Sequence, residues 1–190
     1  MATALREFVL NETATIRAPI ERCFALSTNL AVVEMTLRMT PVSGRLSGSV
    51  IEGDRVRWRG WKWGMLHEHE SAIEAVAPPV FFRDRMIAGR FATFEHDHHF
   101  TERKDGTGLH DELRFRLPWG IAGRVAARSV VIPHIRQLMR ERFQLIKDLA
   151  EGDGWRRYVE LDVDTSGVST SQLQPIGTVA RDARIVRPRG

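Results

Sequence analysis

Four short stretches of this sequence carry imidazoles and carboxylates among apolar residues: LHEHESAIEA with His67 and His69, VFFRDRMI with Asp84, FEHDHHF with His96 and His98, and GLHDELRFRLP with Asp111. The spacing matters because side chains two apart on an extended strand leave the same face. A histidine oriented by an aspartate can remove or deliver a proton beside a carbonyl or hydroxyl, the chemistry of aldol-type cyclisation, dehydration or isomerisation. In that reading His96 or His98 is the base, and Asp84 or Asp111 is the group that orients it. A second reading makes the same residues a satisfied polar network that shapes a pocket and holds the polar end of a bound molecule, since a buried carboxylate needs partners. A third is metal ligation, because His67 with His69 and His96 with His98 each project two imidazoles from one strand face, and a carboxylate can complete the shell. The network reading is preferred. No nucleophile elbow or other reaction-specific motif accompanies the cluster, and His-x-His on strands is common without metal, so no cofactor and no metal are expected.

Alternation decides which of these groups point inward. In GLHDELRFRLP the apolar row is Leu109, Leu113, Phe115 and Leu117, which places Asp111 with it and turns Arg114 and Arg116 outward. In VFFRDRMI the row Val80, Phe82 and Met86 takes Asp84 inside. FEHDHHF sends Phe94, His96, His98 and Phe100 inward, against Glu95, Asp97 and His99. LHEHESAIEA sends His67, His69, Ser71, Ile73 and Ala75 inward. Trp58 shares the inward row of DRVRWRGW with Val56. Four histidines and two aspartates then face one surface lined by aromatic and aliphatic groups. His99, His110 and His134 are read as surface or helix residues without a role.

The elements that must position these rows follow from the periods. Residues 5–17 alternate as a half-buried strand. Pro19 opens APIERCFALS, a short helix whose apolar face includes Cys23, and Ser27, Thr28 and Asn29 offer a cap for a second short helix through Met35. From Val42 the pattern is strand, turn, strand, punctuated at Gly44, Gly48, Gly53, Gly64, Pro78-Pro79, Gly89 and Gly106, which gives about six consecutive antiparallel strands. From 121 to about 151 the spacing becomes helical through Ile121, Val125, Ile135, Leu138, Met139, Phe143, Ile146 and Ala150, with a kink or break expected at 131–134 because Pro133 lacks a backbone donor. A long helix laid across a bent sheet cannot fill the space beneath it, and that gap is a natural ligand site. Met139 and Phe143 face the sheet in either case.

Composition narrows the function classes. The chain has 190 residues, 43% of them hydrophobic and 27% charged, which fits one globular domain with a tail and excludes disorder of the whole. Its formal net charge of +4 comes from basic residues spread along the chain, without the stripe or module that nucleic-acid binding needs, so no nucleic-acid partner is expected. No apolar run approaches a bilayer span, and Arg6, Glu7, Asn11 and Glu12 interrupt any signal-peptide core, so a cytoplasmic location is expected. Cys23 stands alone and cannot form an internal disulfide. Residues 161–190 are rich in Ser, Thr and Gly and are read as a flexible or extended tail, whose apolar groups at 176–179 and 185–186 could pair with a sheet edge of this or another protomer.

The phrases TATIRAPIERCFAL, GDRVRWRG, FFRDRMIAGRFATFEHDHHF, DELRFRLPWG and AEGDGWRRY resemble the START, polyketide-cyclase and birch-pollen-allergen superfamily (SRPBCC), and in particular a bacterial subgroup described as ligand-binding or cyclase/dehydrase-like. The resemblance covers residues 5–158. It implies an α+β helix-grip fold: a curved seven-stranded antiparallel sheet wrapped around a long C-terminal helix, with two short helices after strand one, spanning residues 1–160. The superfamily has no universal catalytic motif, and its members include carriers, receptors, cyclases and partner-binding chaperones. The expected function is therefore binding of a small hydrophobic molecule (a lipid, an isoprenoid or an aromatic polyketide-like metabolite) in an internal cavity. Trp58, His67, His69, Phe82, Met86, Phe94, Phe115, Met139 and Phe143 are its expected walls, and His96, His98, Asp84 and Asp111 its acid–base candidates. A cyclase or dehydrase acting through that cluster and a lipid chaperone working with a partner enzyme or membrane surface are the alternatives.

Overall fold

A computed structural model of the chain describes residues 5–62, 64–118, 125 and 127–159. The first strand, β1 (Glu7–Ile16), leads into two short helices, α1 (Ile20–Thr28) and α2 (Leu30–Leu37). Asn29 separates the helices and caps the second, its side-chain oxygen accepting from the Ala31 amide at 3.0 Å. Then come β2 (Thr40–Gly44), β3 (Arg55–Lys62), β4 (Met65–Ala77), β5 (Phe81–Ala88), β6 (Thr93–Arg103) and β7 (Gly106–Arg116). All the pairings are antiparallel, and among the described residues the strands make one open seven-stranded sheet in the order β1-β7-β6-β5-β4-β3-β2. Gly106, at a φ of 136°, lets β7 start against β1, where a Cβ would meet the Ile16 carbonyl oxygen at 2.1 Å.

The chain closes with a π-helical turn (Ala127–Val131) followed by α3 (Ile132–Glu151). The break expected near Pro133 is this change of helix type. Pro133 sits in the first turn of α3, directly after this turn, where its missing N–H leaves a carbonyl of the π turn without a helical donor. The wider π turn also rotates the apolar stripe, so Val125, expected to face the sheet, is 62% exposed. Ile121 and the start of the expected helix lie outside the described residues, as does the expected tail. Beyond α3, a 3₁₀ turn (Gly154–Arg157) buries Trp155, over which the Arg22 guanidinium stacks at 4.3 Å. Among the described residues no helix is long and apolar enough to cross a membrane.

α3 lies against one face of the sheet and divides the core in three. Its C-terminal half packs Phe143, Ile146 and Ala150 against Ile16, Phe100 and Leu109, with Cys23 and Phe24 of α1 in the same cluster. Its N-terminal half packs Ile135 and Met139 against Phe8, Leu10, Leu113 and Phe115. A third cluster joins Leu30 of α2 to Val56, Trp58 and Ile73 of β3 and β4. Burying side chains of this size contributes roughly 1.5–3 kcal/mol each, which is what holds a bent sheet to one helix.

Two inward assignments change. Ala75 was expected to share a face with Ile73, but β4 carries a bulge between them: Ile73 pairs with Asp84 and Ala75 with Arg83. One extra residue reverses the alternation, so Val76, opposite Phe82, takes the core position and Ala75 does not. Val80 is 49% exposed because it belongs to the turn that follows Pro79, before the pleat of β5 begins.

Candidate functional site

Between α3, α2 and the inner face of β3–β7 lies a cavity of about 490 Å³. Trp58, Phe82, Met86, Phe94 and Met139 line it, together with His67, His69, Asp84, His96 and His98. The Trp58 ring lies against His69, with centroids 6.4 Å apart, and Phe82 stacks on His98 at 4.1 Å. Exposed Glu68, Arg90 and Val130 also border the cavity and mark its mouth. Three expected residues stand elsewhere. Phe115 and Phe143 are buried in the core clusters and do not border the cavity: Phe8 and Phe91 pack on Phe115, and Phe143 belongs to the cluster of Ile16, Phe100 and Leu109. Asp111 does not border the cavity; it lies behind His98, which does.

Strand register brings the polar groups together. Asp84 of β5 stands opposite His96 of β6, and His98 of β6 stands opposite Asp111 of β7. Directly opposed residues share a face and bring their side chains within reach. His98 Nδ1 is 2.9 Å from Asp111 Oδ1, and its Nε2 is 3.2 Å from Asp84 Oδ1. An ionised carboxylate only accepts, so an imidazole held between two of them bonds to both when both nitrogens donate. That is the imidazolium form. His96 sits beside it, with ring centroids 3.9 Å apart, and its Nε2 is 3.3 Å from Asp111 Oδ2. The pair is off the geometry of a hydrogen bond, and both atoms are without a hydrogen-bonding partner among the described residues.

Arg142 completes the cluster, and the sequence reading missed it. Its guanidinium donates to the Ser27 carbonyl at 3.2 Å, and its Nε lies 3.8 Å from Asp111 Oδ2. The side chain is 11% exposed and borders the cavity. The signal was present: Arg142 falls at i+3 and i+4 from Met139 and Leu138, and at i−4 from Ile146, inside the apolar stripe of α3. His134 was set aside as a surface or helix residue; it is half-buried near the mouth and borders the cavity.

The electrostatics follow from burial opposed by these pairings. Burial alone would raise the pKa values of Asp111 and Asp84. The positive charge of His98 outweighs it at Asp111 and holds that carboxyl well below its ordinary range, while the hydrogen bond from His98, with the charges around it, lowers Asp84. For His98, burial favours the neutral form, but the Asp111 charge and the two hydrogen bonds win, and its pKa rises. For His96, burial comes first and the adjacent His98 charge adds to it, so its pKa falls. With His98 and Arg142 positive, Asp84 and Asp111 negative and His96 neutral, the cluster carries no net charge.

The outer face has a network of its own. Asp97 points outward as expected, yet it is 4% exposed, because Arg83 and Arg114 both donate to it, at 2.7 and 2.8 Å. Burial opposes its ionisation, but the bonds from the two arginines lower its pKa. These arginines brace the sheet behind the cavity.

A seven-stranded antiparallel sheet gripping a long C-terminal helix, with two short helices after the first strand, is the helix-grip fold. No family model matches the chain, and no curated protein matches its sequence. Solved structures do match it in fold. The di-domain ARO/CYC protein BexL from the BE-7585A biosynthetic pathway is 21% identical at a TM-score of 0.63, over 77% of this chain and 50% of that one. Truncated norcoclaurine synthase from Thalictrum flavum is 10% identical at 0.60, over 80% and 99%. Ara h 8.0201 is 13% identical at 0.58, over 76% and 98%. At such identities the likeness establishes the architecture and leaves the chemistry to the site.

Proposed function

We propose that the protein binds a small hydrophobic molecule that carries an oxygen function at one end, of the isoprenoid, lipid or aromatic polyketide-like kind. The observation that carries this reading is an apolar cavity ending in a buried, charge-balanced cluster. Its volume of about 490 Å³ is in the range of drug-sized ligand sites. A cluster without net charge favours a neutral polar end, such as a ketone, phenol or alcohol, over a carboxylate, whose charge would be buried without a counter-ion. The similarity to an ARO/CYC protein of a biosynthetic pathway supports the aromatic choice. The mouth gives such a molecule its way in.

The test is displacement of a fluorescent apolar dye, together with native mass spectrometry of protein purified from its own host. Ser71 is buried on the cavity wall opposite Met86 and is not itself part of the charged cluster. Ser71→Phe is expected to weaken dye binding by roughly tenfold or more, about the effect of losing one good apolar contact, at an unchanged melting temperature. Unchanged affinity in that variant would place binding outside the cavity.

One observation favours a second reading, an enzyme of the cyclase or dehydrase type. Burial and the adjacent His98 charge lower the pKa of His96, which favours its neutral form; it borders the cavity, and Asp111 stands behind its Nε2 as an orienting group for a general base. His96→Gln separates the two readings. A carrier keeps its ligand affinity, whereas an enzyme loses turnover by about 100-fold or more.

A further inference from the structure

Asp84, His96 and His98 each offer one ligand atom, and these atoms lie within 4.8 Å of one another. Asp84 Oδ1 is 3.2 Å from His98 Nε2 and 3.9 Å from His96 Nδ1. Donors about 2.0–2.1 Å from a tetrahedral ion stand roughly 3.3 Å apart, so the first distance already fits and the second closes with a movement of about half an ångström. The donors come from two hydrogen-bonded neighbouring strands, which hold them more firmly than loops do.

A second, independent observation concerns the far nitrogens of the two imidazoles. His98 Nδ1 bonds to one oxygen of Asp111, and His96 Nε2, buried and without a hydrogen-bonding partner among the described residues, faces the other at 3.3 Å. One carboxylate thus stands behind both rings. Metal-binding histidines nearly always give their remaining N–H to such an acceptor, which fixes the tautomer and the ring plane. Arg142, from the facing helix, offsets the charge of Asp111, so the carboxylate left to meet a cation is Asp84.

We propose that Asp84, His96 and His98 form a two-histidine, one-carboxylate site for a divalent first-row transition ion, with Asp111 orienting His98 and standing behind His96. All three ligands border the cavity, so the remaining coordination positions open onto it and take an oxygen donor from a bound molecule. The ion replaces the proton that His98 otherwise places between itself and Asp84; a proton leaves and no electrons move. The site shares the cavity with the binding proposal but does not depend on it, since dye binding needs only the apolar walls.

Chelator-stripped protein titrated with cobalt(II) is expected to take up one ion per chain with micromolar or tighter affinity and to develop the visible bands of a four- or five-coordinate ion. Asp84→Asn is expected to weaken that affinity by roughly 100-fold, and Asp111→Asn by about 10–100-fold, while the apolar dye still binds. X-ray absorption of the zinc-loaded native chain is expected to show two imidazoles and oxygen donors. This measurement decides the matter if either variant fails to fold. An all-oxygen shell overturns the proposal, as does affinity that Asp84→Asn leaves unchanged. Failure to bind cobalt at millimolar concentration, in protein that still binds dye, overturns the metal site and leaves the ligand cavity standing; loss of dye binding with cobalt binding intact does the reverse.

Discussion

Asp111→Ala is expected to destabilise the protein by about 3–5 kcal/mol, which for a chain of this size is a fall in melting temperature of roughly 6–20 °C. Asp111 is 2% exposed and faces three groups at once: His98 at 2.9 Å, His96 at 3.3 Å and Arg142 at 3.8 Å. Removing it leaves an imidazolium and a guanidinium in a buried place with only Asp84 to answer them. The penalty is mostly that of the stranded charges, not the worth of the lost bond. Asp111→Asn keeps the shape and removes only the charge, so the difference between the two variants in urea or thermal unfolding separates packing from electrostatics. A loss below about 1 kcal/mol for Asp111→Ala would mean that the cluster is not paired as described. By contrast, Arg59 and Glu68 are a half-exposed pair, and breaking it is expected to change stability little.

The second large effect is on pH. Stability is expected to be greatest near pH 6.5, the ordinary pKa of histidine, and to fall on both sides. Above that value the unfolded chain has released the His98 proton while the folded protein still holds it. His98 therefore contributes fully below pH 6.5, and its contribution is lost as the pH rises through its raised folded value. His96 acts in the opposite sense. Its pKa is lowered on folding, so its contribution is present above pH 6.5 and disappears as the pH falls toward the folded value. Below the ordinary aspartate value of 3.8, the depressed pKa values of Asp84 and Asp111 add their own loss, and the acid side becomes the steeper. Thermal melts across this range test the profile. His98→Gln should flatten the alkaline side and His96→Gln the shoulder just below pH 6.5; a profile identical in all three proteins would remove this account of the cluster.

Much of the cluster was legible because β5, β6 and β7 are regular where it lies. Asp84, His96, His98 and Asp111 fall on strands whose alternation is unbroken between them, so the two-residue period alone put them on the inner row. The period failed where the pleat is interrupted. At Ala75 a bulge inserted a residue, and at Val80 the strand had not yet begun. Arg142 is less legible, because a cation within an apolar helical stripe either snorkels to water or finds a buried anion, and only the docking of α3 shows that it meets Asp111.

By itself the sequence determined the succession of strands and helices, the face on which each imidazole and carboxylate stands, and the turns that let the sheet double back. These are local properties, decided by backbone period and by glycine and proline at the turns. Tertiary structure alone decided which members of one face meet. Register set Asp84 against His96 and His98 against Asp111, and the docking of α3 brought Arg142 to the same point. Packing likewise put Phe115 and Phe143 into the solid core while leaving Trp58 and Phe82 on the cavity wall. The physical reason is distance along the chain. Asp84 and Arg142 are brought into one charge-balanced cluster only by the folding of the whole sheet around its helix, and no periodicity in a short window encodes an interaction that depends on where two distant surfaces come to rest.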